Sequence, residues 1–367
     1  MILLLKKLKK NKSVIIFIPS IENGGVEKNL YIIANYISKK KIPVRIITSL
    51  NPRKKFNKNI KVISFKKKSN IINSRFVKTL FTVFLFLKYF RNENAVILSF
   101  QANIAAILLG YFFNKKVIVR SNTSPEKYIK NIFQKLIFKF FFKLADDIVV
   151  NSFQFKDSFK KKFSINPKVI YNPLVIKSPK KINFPFFKDK NSLKIINVAR
   201  LTDQKDHLTL LRAFTKLNTI SKCKLVIIGS GYKEKILKKF ILNNQLQNKV
   251  KLIGYKENPM SYMKLSDVFV LSSSFEGLPN VLIEALYLKK YIISSNCPAG
   301  PKEILNGGKY GSLFKVGDDH QLFQILKKFN HNKKINYKTK QGYKSLKRFD
   351  YKINCEKYFK LILNYLN

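Results

Sequence analysis

Short runs of consecutive apolar residues recur along the chain, and segments of mixed apolar and polar residues separate them. Such runs are typical of strands in a parallel sheet, because helices cover both faces of that sheet. The first half of the chain contains runs at residues 13–19, 44–49, 95–100, 116–120 and 147–151. The second half contains runs at residues 194–200, 224–231, 249–255, 267–274 and 291–296. With helix-like segments between them, the runs predict two doubly wound α/β units.

A segment with three prolines and many lysines separates the two sets of runs. It covers residues 169–192 and shows no clean periodicity, which is typical of a linker. We therefore predict an N-terminal Rossmann-like domain at residues 1–172 and a C-terminal one at residues 173–345, followed by a helix at residues 346–367. Two such domains leave a cleft between them, where the carboxyl ends of both sheets face each other and ligands bind.

The balance of charge is strongly basic, with 72 Lys and Arg residues against 20 Asp and Glu residues and a formal net charge of +52. Such a charge attracts nucleic acid, anionic lipid or phosphorylated substrates. Only 8 of the 72 cations are arginine, the residue whose planar fork reads nucleic-acid sequence. Residues 1–172 hold 35 of the cations and only 7 acidic residues. The lysines form either a solvated coat or a surface that rests on anionic lipid.

The three cysteines, Cys223, Cys297 and Cys355, lie far apart and show no C-x-x-C spacing. This pattern argues against a disulfide framework and against a zinc site, and it fits a reducing cytosol.

The most apolar later segment covers residues 76–90 and is interrupted by Lys78 and Lys88. Nine uncharged residues lie between these lysines, which is short of the roughly 20 that a membrane-spanning helix needs. The segment predicts either a buried core helix or an exposed helix that touches a membrane.

Two glutamates lie eight positions apart in residues 271–305, a stretch that is otherwise mostly apolar or small. Glu276 follows a predicted strand, in the loop FEGLPN, and Glu284 lies just over one turn inside the helix that follows. A carboxylate binds a vicinal diol well, because each oxygen accepts one hydroxyl. We predict that one glutamate holds a ribose and the other a hexose. The alternative, a helix-terminal acid and a surface glutamate, is disfavoured by the apolar neighbours of Glu284.

Two cations and two glycines also lie between a predicted strand and the helix after it. Arg200 and Lys205 are five residues apart in NVARLTDQKD, where a bidentate fork and a point charge can meet one diphosphate. Gly24 and Gly25 allow a backbone to approach a phosphate or sugar closely. The alternative for the glycines is a plain tight turn. The alternative for the cations is that two of them lie close together by chance, because the chain is very basic.

Taken together, these segments resemble the retaining glycosyltransferases of family 4, which have the two-domain GT-B architecture. The resemblance covers nearly the whole chain and rests on GGVEK, VARLTDQKD, FEGLPNVLIEA and SSNCPAGPKEIL in this order. It is closest to bacterial envelope enzymes that extend polyprenyl-diphosphate-linked or lipopolysaccharide-type acceptors. The resemblance implies an α/β GT-B fold with two Rossmann-like domains and a C-terminal helix that crosses back to the N-terminal domain.

The resemblance also implies a role for each candidate residue. Arg200 and Lys205 are expected to bind the donor diphosphate, and with Glu276, which contacts the transferred sugar, they form the catalytic set. Glu284 is expected to hold the nucleotide ribose. The other expected substrate contacts are Gly24, Gly25, Gly277, Leu278 and Asn280, with Arg120 and Asn122 in VIVRSN at the place where some members carry a histidine.

The predicted function is retaining, metal-independent transfer of a hexose or N-acetylhexosamine from a nucleotide-diphospho-sugar to a membrane-associated glycan acceptor. We expect no cofactor beyond this co-substrate, no nucleic-acid partner, and a cytoplasmic enzyme peripheral on the inner face of the plasma membrane. The alternatives are a GT-B enzyme with a soluble sugar-phosphate acceptor and a non-catalytic basic binder of membrane or nucleic acid. Carboxylates at strand ends argue against a polyanion binder, because they repel phosphates.

Overall fold

A computed structural model gives the structure of residues 12–21, 25–50, 52, 56–65, 74–123, 125–127, 129, 131–176, 178–329 and 333–366. The chain forms two compact units, Met1–Pro173 together with Phe349–Asn367, and Leu174–Arg348. The units divide after Pro173 and after Arg348. The predicted domain boundaries were after residues 172 and 345.

The first unit contains a sheet of seven parallel strands. They are β1 (Ser13–Phe17), β2 (Val44–Leu50), β3 (Ile60–Phe65), β4 (Ala95–Ser99), β5 (Val117–Ser121), β6 (Asp147–Val150) and β7 (Lys168–Val169). Their order in the sheet is β3-β2-β1-β4-β5-β6-β7. Every residue of β1, β4 and β5 is buried, as expected for central strands that are covered on both faces.

Five helices connect these strands: α1 (Gly25–Lys39), α2 (Arg75–Tyr89), α3 (Asn103–Phe112), α4 (Ile132–Lys143) and α5 (Phe153–Phe163). Crossovers between parallel strands are right-handed as a rule. With this strand order, the rule puts α2, α3, α4 and α5 on one face of the sheet and α1 on the other, because the connection through α1 runs in the opposite direction across the sheet. Side-chain caps begin several of them, as where Ser74 accepts a hydrogen bond from the Val77 amide. Among the described residues, no helix is long and apolar enough to cross a membrane.

The second unit contains a sheet of six parallel strands in the order β10-β9-β8-β11-β12-β13. They are β8 (Leu193–Val198), β9 (Cys223–Ile228), β10 (Val250–Leu252), β11 (Val268–Leu271), β12 (Tyr291–Ser295) and β13 (Ser312–Phe314). The helices are α6 (His207–Asn218), α7 (Glu234–Asn243), α8 (Met260–Lys264), α9 (Asn280–Tyr287), α10 (Pro301–Ile304), α11 (Asp319–Lys327) and α12 (Lys333–Lys344). The prediction of two doubly wound α/β units is confirmed.

The last helix, α13 (Tyr351–Leu366), belongs to the first unit and contacts α1 and β4. A buried arginine links it to the sheet. Arg120 in β5 is 1% exposed, and its Nε donates to the Tyr358 hydroxyl at 2.8 Å while its Nη2 donates to Asn172 Oδ1 at 2.7 Å. The guanidinium also lies 5.3 Å from the centre of the Phe100 ring. These contacts satisfy Nε and Nη2 and hold α13 against the sheet, whereas Nη1 is buried without a hydrogen-bond partner among the described residues.

All three cysteines are buried and unpaired with one another. Burial raises the pKa of each thiol to about 12, so each stays protonated and unreactive at neutral pH.

We expect Tyr358→Phe to lower the free energy of unfolding by about 2 kcal/mol, because a buried hydrogen bond to a charged group is lost. Urea unfolding of the wild type and the variant measures this difference. Tyr89→Phe is the matched control, since it removes the same hydroxyl from a ring that is 53% exposed. A Tyr358→Phe variant as stable as the control variant contradicts the role given to Arg120.

Candidate active site

The candidate residues of the second unit collect at the carboxyl-terminal edge of its sheet. Arg200 and Lys205 follow β8, Glu276 and Gly277 follow β11, and Glu284 lies in α9. Because β8 and β11 are neighbours in the sheet, the loops that follow them start side by side. This edge is where sheets of this class bind their ligands.

The centre of the site is a buried ion pair between two of the predicted residues. The Lys205 ammonium donates to Glu276 Oε1 at 2.5 Å, and the two side chains are 13% and 7% exposed. Ser273 Oγ donates to the same oxygen at 2.7 Å. An ammonium group has three N–H donors, and the contact with Glu276 uses one. Lys205 can therefore hold this carboxylate and a phosphate oxygen together.

Backbone and side-chain hydrogen bonds join the two loops on either side of the ion pair. Gln204 Nε2 donates to the Phe275 carbonyl at 2.7 Å, and the Ser274 amide donates to the Gln204 carbonyl at 2.9 Å. Ser272 Oγ donates to the Lys205 carbonyl at 3.0 Å. The positions of Lys205 and Glu276 are therefore fixed by their backbones as well as by their charges.

A neutral histidine lies just after this loop, at the start of α6. His207 is 2% exposed, and its Nε2 lies 3.1 Å from Asn197 Oδ1. Asn197 donates its own Nδ2 to the Val270 carbonyl, so its Oδ1 accepts and the proton of the histidine is on Nε2. Burial, together with the nearby charge of Lys205, lowers the pKa of His207 to about 4. At neutral pH the ring therefore adds no charge that repels Lys205.

The loop after β9 closes over the first residues of the loop after β8. A Cβ placed on Gly229 would lie 1.8 Å from the Ala199 carbonyl oxygen, and one on Gly231 would lie 2.3 Å from that of Leu201. Only glycine permits this approach. The Tyr232 hydroxyl then donates to Asp203 Oδ2 at 2.6 Å, which joins the two loops. Arg200 lies between these contacts and is exposed to solvent.

The loop after β12 supports the glutamate loop from the other side. Gly300 has a left-handed backbone with φ +78°, and a Cβ there would lie 1.8 Å from the Gly277 carbonyl oxygen. Ser295 Oγ donates to the Ser273 carbonyl at 2.5 Å. Ser273, before Glu276, thus contacts the last residue of β12, and Gly277, after Glu276, contacts the loop that follows β12.

Helix α9 carries the second glutamate into the interior. Glu284 is 7% exposed, and Leu282, Ile283, Ala285 and Leu286 around it are each 0% exposed. The interpretation of Glu284 as a surface residue is therefore wrong. Leu278 is buried in the loop that leads to α9, and Asn280 is the first residue of the helix.

Gly25, Arg120 and Asn122 belong to the first unit. Gly25 is the exposed first residue of α1, whereas Gly24 lies outside the described residues. Asn122 donates Nδ2 to the Phe100 carbonyl at 2.8 Å. Arg120 is enclosed by Tyr358, Asn172 and Phe100, and these contacts give its charge a structural role. The substrate contacts of these residues, like those assigned in the second unit, stay predictions.

Three residues that shape the site were not among the predicted site residues. Ser273 contacts Glu276, Gln204 joins the two loops, and Gly300 allows the close approach to Gly277. The run of small polar residues after β11 was a visible signal for Ser273. Gln204 lies between the two predicted cations and carried no signal of its own.

We expect Gly300→Ala to displace the Gly277 backbone, because the new methyl group collides with its carbonyl oxygen. Gly307→Ala is the matched control, since Gly307 has a left-handed φ of +64° and a Cβ added there would meet no atom within 4 Å. Both variants place a side chain at a positive φ, which costs of order 1 kcal/mol. Only Gly300→Ala carries the collision, and its ψ of −70°, against +20° at Gly307, adds strain of its own, so the NMR shifts rather than the stability alone report the displacement. Thermal unfolding and the amide NMR shifts of Glu276 and Gly277 measure the effect. Equal behaviour of the two variants contradicts the proposed packing.

Two family descriptions match the chain, one in each half. Glycosyltransferase Family 4 matches residues 23–177, and Glycosyl transferases group 1 matches residues 179–348.

Two similar proteins match over most of the chain. One is the N-acetylgalactosamine-N,N'-diacetylbacillosaminyl-diphospho-undecaprenol 4-alpha-N-acetylgalactosaminyltransferase of Campylobacter jejuni. It is 31% identical over 342 residues, which cover 89% of this chain and 92% of that protein. An uncharacterised glycosyltransferase of Methanocaldococcus jannaschii is 30% identical over 303 residues, which cover 72% of this chain and 75% of that protein.

A solved structure shows the same fold over nearly the full length. HepE of Anabaena, in complex with UDP and glucose, superimposes with a TM-score of 0.74 at 16% identity and covers 96% of this chain and 99% of that one. The predicted GT-B fold is confirmed. This chain therefore belongs to the glycosyltransferases, with a family 4 domain in its first half and a group 1 domain in its second.

Proposed function

We propose that the chain is a retaining glycosyltransferase that moves a hexose or N-acetylhexosamine from a nucleotide-diphospho-sugar to a membrane-associated glycan acceptor. The observation that carries this proposal is the buried contact between Lys205 and Glu276 at the ligand-binding edge of the second sheet. In this contact, a cation that can bind a diphosphate lies beside a carboxylate that can bind sugar hydroxyls. A nucleotide-diphospho-sugar presents both groups within one molecule.

Each chemical group of the nucleotide-sugar has a residue suited to bind it. Arg200, exposed at the edge, offers a bidentate fork to the diphosphate, and Lys205 offers a point charge. Glu276 takes hydroxyls of the transferred sugar, and Glu284 takes the ribose diol. Backbone amides of Gly277, Leu278 and Asn280 lie at the start of α9, where the helix dipole favours the negative charge of a phosphate.

The chemical step replaces one bond to the anomeric carbon with another. The bond from this carbon to the diphosphate oxygen breaks, and the acceptor hydroxyl oxygen bonds to the carbon from the same face. The proton of that hydroxyl passes to the departing phosphate oxygen, and nucleoside diphosphate leaves. Glu276 already accepts hydrogen bonds from Lys205 and Ser273, which suits it to holding hydroxyls rather than to attacking carbon.

The diphosphate gains negative charge as it leaves, and stabilising that charge is the main catalytic task. Arg200, Lys205 and the amides before α9 supply positive charge and donors for this purpose. We propose that they are sufficient without a metal ion.

The proposed acceptor is a glycan on a polyprenyl diphosphate or of lipopolysaccharide type. The Campylobacter jejuni relative is named for a diphospho-undecaprenol acceptor, and residues 1–172 carry 35 cations against 7 acidic residues. A lipid diphosphate and an anionic leaflet both attract such a surface. We place the enzyme on the inner face of the plasma membrane.

Calorimetric titration with UDP-linked and GDP-linked hexoses and N-acetylhexosamines, in EDTA, tests the donor site. We expect one donor to bind, and Glu276→Gln and Glu284→Gln each to weaken its binding by about 10-fold to 100-fold. The reason is that a carboxylate accepting hydroxyl hydrogen bonds contributes about 1.5–3 kcal/mol. Glu234→Gln is the matched control, because Glu234 is paired with Lys238 at the solvent-exposed start of α7.

Three outcomes contradict parts of the proposal. Equal binding by all four proteins removes the glutamates from the donor site, and binding that requires added Mg²⁺ or Mn²⁺ removes metal independence. The third outcome is read by NMR of the product formed on a polyprenyl-diphosphate-linked glycan. A new linkage whose anomeric configuration is opposite to that of the donor sugar excludes a retaining reaction.

A further inference from the structure

The outer surface of the first unit is apolar where a layer of helices faces solvent. Helices α2, α3 and α4 lie on the same face of the sheet, and α3 contacts both α2 and α4. Of the 23 large apolar side chains that are exposed among the described residues, 13 lie between residues 75 and 144. We call the outer side of α2, α3 and α4 the apolar face. Its most exposed members include Phe76, Phe84, Phe112, Phe133, Leu136 and Phe140.

Helix α4 shows the exposure most clearly. Eight of its twelve residues are apolar, in the sequence IFQKLIFKFFFK, yet Phe142 is the only one that is buried. Phe133 is 68% exposed, Leu136 56% and Phe140 62%. A helix on the surface of a soluble domain normally turns its apolar stripe toward the core. In α4 most of the apolar surface is turned toward solvent instead.

Helix α2 repeats the pattern. Phe76, Leu80, Phe84 and Leu87 follow a helical spacing that sets them on one side of the helix, and they are 38–72% exposed. The opposite side of α2 contains the buried Thr82, Leu85 and Phe86. The helix is therefore apolar on the side that packs and on the side that does not.

The charges on these helices are of one sign. Helices α2, α3 and α4 contain no Asp or Glu residue, whereas α2 carries the exposed Arg75 and Lys88. Lys78 is only partly exposed, and its ammonium donates to Ser20 Oγ at 3.4 Å. In α4, Lys135, Lys139 and Lys143 form a line beside the line of Leu136 and Phe140. Lysine side chains next to an apolar stripe extend their ammonium groups to the level of lipid headgroups. Exposed apolar patches of this extent mark interaction sites.

We propose that the apolar face docks on an anionic lipid bilayer, with Phe84, Phe133 and Phe140 inserted among the acyl chains and the lysines on the headgroup phosphates. A protein partner of the same surface needs acidic residues to meet the lysines, whereas a bilayer supplies both anionic and apolar layers. The inference rests on the proposed function only in that a membrane-bound acceptor gives the surface its use.

Because the net charge alone attracts anionic vesicles, the test changes apolar residues and keeps every charge. The triple variant Phe84→Ser, Phe133→Ser and Phe140→Ser is compared with Ile220→Ser, Ile236→Ser and Leu242→Ser, three exposed apolar residues of the second unit. Both are sedimented with vesicles of phosphatidylglycerol and phosphatidylethanolamine. We expect the first variant to lose about 100-fold in partition coefficient and the second to match the wild type. Equal binding by both overturns the proposal.

A fluorescence measurement gives an independent readout, because the chain contains no tryptophan. Phe133→Trp places a single tryptophan on the apolar face, and Leu242→Trp places one on the second unit. We expect vesicles to shift the emission of the first to shorter wavelength and to leave the second unchanged. An unshifted Phe133→Trp protein that still binds vesicles shows that charge alone holds it, which overturns the proposal.

Two further measurements separate this proposal from its alternatives. Sedimentation velocity without vesicles detects self-association. If the wild type is a dimer, the Phe84, Phe133 and Phe140 variant is a monomer, and both bind vesicles equally, then the apolar face contacts a second copy of the chain. That result overturns the proposal. Donor titration without vesicles reports the second unit. We expect that variant to bind donor as the wild type does, so failure of docking and failure of the proposed function are seen in different assays.

Discussion

The ammonium of Lys205 and the carboxylate of Glu276 lie 2.5 Å apart in a part of the second unit that is almost closed to water. Removing one partner of such a pair leaves a buried charge without compensation, at a cost of about 3–5 kcal/mol. The two residues come from loops after neighbouring strands, so their contact sets how far apart these loops stand. The predicted positions of the diphosphate and of the sugar both depend on that separation.

Close approach of four loops is what allows this pair to be buried. Gly229 and Gly231 bring the loop after β9 onto residues 199–201, and Gly300 brings the loop after β12 onto Gly277. Each contact is too short for a side chain. Behind them, His207 is kept neutral by burial, so that a second positive charge does not oppose Lys205. The site is therefore held by backbone contacts as well as by the ion pair, which uses only one of the three N–H donors of Lys205.

The central strands could be predicted from the sequence because a strand that is covered on both faces is apolar throughout. The edge strands β3 and β13 and the short β7 were missed, since in β3 four of the six residues are only partly buried and lysines flank them. The two cations and Glu276 were also predicted, each from its position after a strand, and Glu284 was predicted from its apolar neighbours in a helix. The pairing of Lys205 with Glu276 was not predicted, because it requires knowing that β8 and β11 are adjacent in the sheet.

Arg120 shows the limit of such reasoning. The resemblance to family members with a histidine at this strand end indicated a substrate contact, which stays a prediction. The observed contact with Tyr358 could not be predicted, because Tyr358 lies 238 residues away along the chain. The apolar helices show the opposite case. Their composition was visible in residues 76–90, but periodicity alone could not distinguish a core helix from an exposed one. The exposed side of these helices can be identified only once the strand order, the position of α3 and the crossover directions are known.

A crystal structure of the chain with the nucleotide sugar that it binds would show most directly whether the ion pair organises the donor site. We expect diphosphate oxygens at about 2.7–3.2 Å from Lys205 Nζ and from the Arg200 guanidinium, with a sugar hydroxyl on Glu276. We also expect Lys205 to keep its contact with Glu276. A diphosphate bound elsewhere contradicts this role of the pair, for instance in the cavity of about 570 Å³ in the first unit that Lys12, Arg91, Lys115 and Lys116 line.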